Sequence, residues 1–132
     1  MNKIRRLTTI ALALLFATAS LMAQAKTEKK DAVYKGYLVD KMCATGFTKS
    51  GDVKKATEKA KKHTKDCALE ENCKASGYGL IIGAKFHKFN DAGDKLALDY
   101  LTKTKRENNI FVGVKGTMDG DTINVISLKD AR

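Results

Sequence analysis

Cys43, His63, Cys67 and Cys73 are the residues of this chain whose types and spacing could support chemistry. Thiolate sulfur and imidazole nitrogen together make up the ligand set of tetrahedral zinc, and thiolate also suits monovalent copper. His63 and Cys67 are four positions apart, which on a continuous helix would put both on one face. Cys73 follows after Glu70-Glu71-Asn72, a stretch that lets the chain turn back, and Cys43 must fold over the helix end to join them. Asp40 and Asp66 are the carboxylates placed to orient the ligands from behind. No two cysteines form a C-x-x-C pair, so the spacing is not a zinc-finger register.

Three thiols cannot all pair with one another. Two of Cys43, Cys67 and Cys73 could instead form a disulfide, in any of three pairings, worth about 2–4 kcal/mol in a small exported domain. The third thiol would then be free for a redox role, and His63 would simply face the carbonyl end of a helix dipole. Lys59, Lys61, Lys62, Lys65 and Lys74 flank the group and are expected to favour thiolate over thiol, which serves metal binding and nucleophilic attack alike. His87, between Phe86 and Phe89, reads as a rim or surface histidine.

The N-terminus reads as an export signal. Lys3, Arg5 and Arg6 form a basic start, an apolar run of about 13 residues follows, and Ala23-Gln24-Ala25 gives the small-x-small cleavage pattern. The run is well short of the roughly 20 residues needed to span a bilayer, so no transmembrane segment is expected after cleavage. The expected division is a signal peptide over 1–25, a flexible N-terminus over 26–32 and one domain over 33–132, placed in the periplasm or outside the cell. Losing three basic residues with the signal lowers the formal net charge from +10 to about +7. That balance suits an anionic surface or acidic partner, while export and the few aromatics for base stacking rank nucleic acid last.

The elements that must position the cluster follow from periodicity. Alternation predicts strands over 33–39, 78–82, 85–89, 110–115 and 123–128, with Asp119-Gly120 as a primed hairpin turn. Gly46 to Gly51 reads as turn-rich. Asp52 reads as the cap of one helix from Val53 to about Leu69, whose apolar stripe is only Val53, Ala56 and Ala60. Such a stripe buries little area, so the helix needs fastening near its C-terminal end, where His63, Cys67 and Cys73 lie. Asn90 to Gly93 reads as a turn before an amphipathic helix over 94–105. The fold class is therefore α+β: a five-stranded OB-like barrel with a helical insertion between strands 1 and 2, the alternative being an open antiparallel sheet with helices on one face.

The segments Gly36-Tyr37-Leu38-Val39-Asp40-Lys41-Met42-Cys43, His63-Thr64-Lys65-Asp66-Cys67-Ala68 and Cys73-Lys74-Ala75-Ser76-Gly77-Tyr78-Gly79 resemble a group of small exported bacterial proteins of uncharacterised function. The shared pattern is G-x-x-x-D-x-x-C, then H-x-x-x-C, then C-x-x-S-G, and the resemblance spans nearly the whole chain after the signal. It implies an OB-like barrel and a single site containing the four residues, with Asp40 beside them. The expected function is a non-enzymatic exported binding domain whose cluster is structural or holds zinc or copper. The alternatives are a disulfide-stabilised domain with one redox thiol, and a basic surface-binding module.

Overall fold

The computed structural model describes residues 29–132. The expected signal peptide lies outside the described residues. No helix among the described residues is long and apolar enough to cross a membrane.

Among the described residues, five strands and five helices follow in the order β1 (Ala32–Asp40), α1 (Lys41–Thr48), α2 (Val53–Lys62), α3 (Lys65–Leu69), α4 (Glu71–Ser76), β2 (Tyr78–Ile82), β3 (Lys85–Phe89), α5 (Asp91–Lys103), β4 (Phe111–Asp119) and β5 (Thr122–Asp130). The strands follow the order β1-β2-β3-β5-β4 and close on themselves where β1 pairs with β4. All ladders are antiparallel except β3 with β5. The α+β expectation, with five strands and a helical excursion between β1 and β2, is met. The β4–β5 turn carries its positive φ on Gly120, at 59°, as a primed hairpin requires.

Alternation along β1 and β2 serves two cores. Leu38 and Leu80 point into the main core with Tyr78, Phe89, Leu101, Ile110, Val112, Val114 and Ile123. Tyr37, Val39 and Ile81 point the other way and are covered by Ala44, Ala56 and Ala60, with Phe47, Phe86 and Phe111 at the margin. Helices α1 and α2 thus lie over the outer face of β1 and β2, while α3 sends Ala68 into the main core.

Several elements differ from expectation. Lys41 to Thr48, which runs into the Gly46 to Gly51 stretch read as turn-rich, is a helix, capped by the Asp40 side chain accepting from the Cys43 N–H. The single helix from Val53 to Leu69 is two helices, broken at His63-Thr64, and a further short helix follows it. Thr64 caps the second helix by accepting from the Cys67 N–H at 3.2 Å, so the backbone leaves helical geometry before it. Asp52 caps α2 as expected, and Ala56 and Ala60 are its buried face, but Val53 is 56% exposed. The expected turn at Asn90 to Gly93 is the first turn of α5. There Asn90 Oδ1 accepts from Gly93 at 3.1 Å and also from Val125 of β5 at 3.0 Å. β1 begins at Ala32, inside the segment expected to be flexible.

Candidate metal centre

The excursion is pinned where it leaves and rejoins the sheet. The Lys41 N–H donates to the Gly77 carbonyl at 2.9 Å, and the Met42 N–H donates to Ser76 Oγ at 3.2 Å. Gly77 has φ 85°, a left-handed turn that favours glycine, and it brings α4 back onto β2. Tyr78, the first residue of β2, is buried and donates its hydroxyl to the Ala68 carbonyl at 2.8 Å, fastening α3. Its own N–H donates to Asp94 Oδ1 of α5 at 2.8 Å. Further along, α2 and α3 are held to the loop before β4 by Asn109 N–H to the Lys61 carbonyl and Lys65 N–H to the Glu107 carbonyl, both 2.8 Å.

These ties bring the end of β1, α1, the α2–α3 junction and α4 to one place. The sulfurs of Cys43, Cys67 and Cys73 lie within 4.8 Å of one another. Cys43 and Cys67 are half-buried with sulfurs 3.7 Å apart, and Cys73 is buried. A disulfide would need about 2.05 Å, and all three thiols are free. Zinc–sulfur bonds of about 2.3 Å in tetrahedral geometry put sulfurs about 3.8 Å apart, which the Cys43–Cys67 separation matches.

A second donor group shares Cys43: a carboxylate oxygen of Asp40, Cys43 Sγ and a His63 ring nitrogen also lie within 4.8 Å of one another. Asp40 is fully buried and His63 is 7% exposed. His63 Nε2 approaches Asp40 Oδ2 to 3.0 Å, yet neither atom has an aligned hydrogen bond, and His63 Nδ1 is likewise buried without a partner. The imidazole packs edge-on against Phe47, ring centroids 5.5 Å apart. Buried polar atoms left this way are costly unless something else engages them.

The structure thus brings Cys43, Cys67 and Cys73 together and places His63 beside Cys43. It does not put His63 and Cys67 on one helix face, because His63 caps the end of α2 and Cys67 sits in α3. Asp40 is a donor in its own right, a role its cap position after a strand signalled only weakly. Asp66 is exposed in the first turn of α3 and belongs to neither donor group, as does half-buried His87 in β3.

The thiol chemistry also departs from expectation. Burial, then the Asp40 charge, pushes Cys73 up to about 11, and the same two causes push Cys43 up further. The neighbouring lysines do not offset this; Lys65 is engaged with Glu107 at 3.0 Å, and Lys59 reaches the Gly46 carbonyl at 3.3 Å. Burial also works to raise the Asp40 carboxyl, but the His63 side chain and the Cys43 N–H outweigh it and hold Asp40 below its ordinary value. Without a cation, two of the thiols are therefore kept protonated around an ionised carboxylate.

No protein-family model matches this chain, and neither a curated protein nor a solved structure matches it. What the fold and the site define is an α+β domain whose Cys, His and Asp side chains could hold a metal ion.

Proposed function

We propose that the chain is a small exported binding domain of the OB type whose cysteine cluster holds a soft metal ion, zinc or monovalent copper, without catalysing a reaction. The observation that carries this reading is the set of three free thiols within 4.8 Å of one another, adjoining the buried Asp40–His63 pair. The strand order β1-β2-β3-β5-β4, with a helix between β3 and β4, supports an OB-like barrel, and its first connection is one of the loops that this architecture uses for ligands. Among the residues that carry the resemblance to exported bacterial proteins, Cys43, His63, Cys67 and Cys73 lie in that connection and Asp40 at its start, at the end of β1. Zinc or copper bound there would supply charge to balance thiolates and cross-link α1, α3 and α4.

Metal analysis of protein purified without chelator tests the proposal, with about one equivalent or more of zinc or copper expected. Less than about a tenth of an equivalent, together with a mapped disulfide, overturns it.

The 3.7 Å approach of Cys43 and Cys67 favours one second reading, a disulfide between them with Cys73 left as a thiol. Alkylation under native conditions followed by mass spectrometry would then label one cysteine, whereas metal-free, reduced protein labels all three once unfolded. Export is tested separately by the N-terminus of the mature protein, which should begin at Lys26.

A further inference from the structure

Cys43 stands in both donor groups. On one side are the sulfurs of Cys67 and Cys73; on the other are the Asp40 carboxylate and the His63 imidazole. One ion placed among the three sulfurs leaves the second group unused. Asp40 Oδ2 would then keep only its 3.0 Å approach to His63 Nε2, and His63 Nδ1 would stay buried without a hydrogen-bond partner, an arrangement native structures avoid. One ion placed by Asp40 and His63 instead leaves Cys67 and Cys73 without a role.

Building on the metal-binding reading above, we propose that the site takes two divalent cations of the zinc class, with the Cys43 thiolate bridging them. Cys67 and Cys73 complete the protein ligands of the first ion, and Asp40 and His63 those of the second. A thiolate sulfur has lone pairs enough for two soft cations. Each ion gains three protein donors, with further positions left for water or an external ligand. The thiol protons of Cys43, Cys67 and Cys73 pass to solvent on binding, and no electrons are transferred.

Charge is compatible with this arrangement. Three thiolates and one carboxylate carry four negative charges, and His63 binds as the neutral imidazole. Two divalent ions neutralise the set. Asp40 is suited to the double duty because its two oxygens are already divided. Oδ1 accepts from the Cys43 N–H at 2.9 Å, while Oδ2 faces His63.

The test is a count. Reduced, metal-free full-length mature protein is titrated with zinc chloride, passed through a desalting column and measured by native mass spectrometry, with cobalt(II) substitution as a spectroscopic check. Two retained ions per chain are expected. Asp40→Asn and His63→Gln should each retain one ion and keep the sulfur-to-cobalt absorption. Cys67→Ser should also retain one, and Cys43→Ser should weaken retention of both by at least tenfold. One ion on the unaltered chain overturns the bridged pair while leaving the single-ion reading standing, and no ion overturns both. Two ions on Asp40→Asn and His63→Gln overturn the assignment of the second position. Since the first count uses the unaltered chain, a variant that fails to fold does not rescue the idea.

Discussion

Asp40 shows how one side chain can serve structure and site together. It lies at the end of β1, opposite Tyr78 in the ladder, where the chain turns from strand into α1. Its Oδ1 satisfies one of the free N–H groups at the helix start, so removing it costs about 1 kcal/mol in the cap alone. Asn retains that acceptor but loses the charge. Denaturant midpoints of metal-free protein should therefore rank the native chain first, Asp40→Asn below it for the lost charge beside His63, and Asp40→Ala lowest, whereas metal retention should fall for both variants. Equal stability of Asn and Ala variants would contradict the capping role. The four residues Cys43, His63, Cys67 and Cys73 were recognisable from the sequence because their types are rare in it and their spacing is short. The division of donors was not recognisable, because it depends on Thr64. A threonine inside an apparently continuous helical stretch competes for the backbone by capping the next turn, and that local hydrogen bond moves His63 away from Cys67 and toward Asp40.

At the scale of elements, the excursion is built on small side chains. Ala44, Ala56 and Ala60 are almost fully buried against Tyr37, Val39 and Ile81, so α1 and α2 approach the sheet closely. The thin alanine stripe was evident in the sequence, and so was its weak packing. Its consequence, close approach rather than looseness, needed the partner face. Ala60→Leu adds methylenes where there is no space and should destabilise the protein by about 1–3 kcal/mol, measured by chemical denaturation. A neutral effect would show that α2 can lift off the sheet at little cost. The loop before β4 offers an electrostatic counterpart. The Arg106 guanidinium holds the Asp130 carboxyl below its ordinary value of 3.8, helped by the Arg132 N–H. A carboxyl whose folded value is depressed contributes stability above its unfolded value and loses it as pH falls through the folded one. Asp130→Asn should thus lower stability at pH 7, and the difference from the native chain should shrink as pH falls below 3.8 and vanish below the folded value. A difference that persists in acid would assign the effect to packing.

For the whole molecule, the two cores differ in what holds them. The main core gathers large side chains from all five strands, joined by Leu101 and Ala97 of α5, and is bounded by the ladders of the closed sheet. The second core rests on three alanines and the outward faces of β1 and β2. The strand pattern was readable in advance because alternation is a local property, and it leads directly to the α+β class. The existence of two cores was not, because Tyr37 and Val39 are apolar on the face that a one-sided sheet would expose. Ordinary burial stabilises the barrel at roughly 25 cal/mol per Å² of apolar surface, a source that short helices of lysine and alanine can draw on little. The excursion must then depend on its fixed points: the Lys41–Gly77 and Tyr78–Ala68 hydrogen bonds, and cross-links through the cluster if a cation is bound. This makes a regional prediction for amide exchange. Removing metal from loaded protein with a chelator should speed exchange at least tenfold across α1 to α4 while leaving the amides of β1, β4 and β5 within about twofold, because local opening need not pass through global unfolding. Uniform acceleration everywhere would mean that the excursion and barrel unfold as one unit. No change anywhere would mean that the cluster contributes nothing to holding the helices, and that packing of the alanines alone is sufficient.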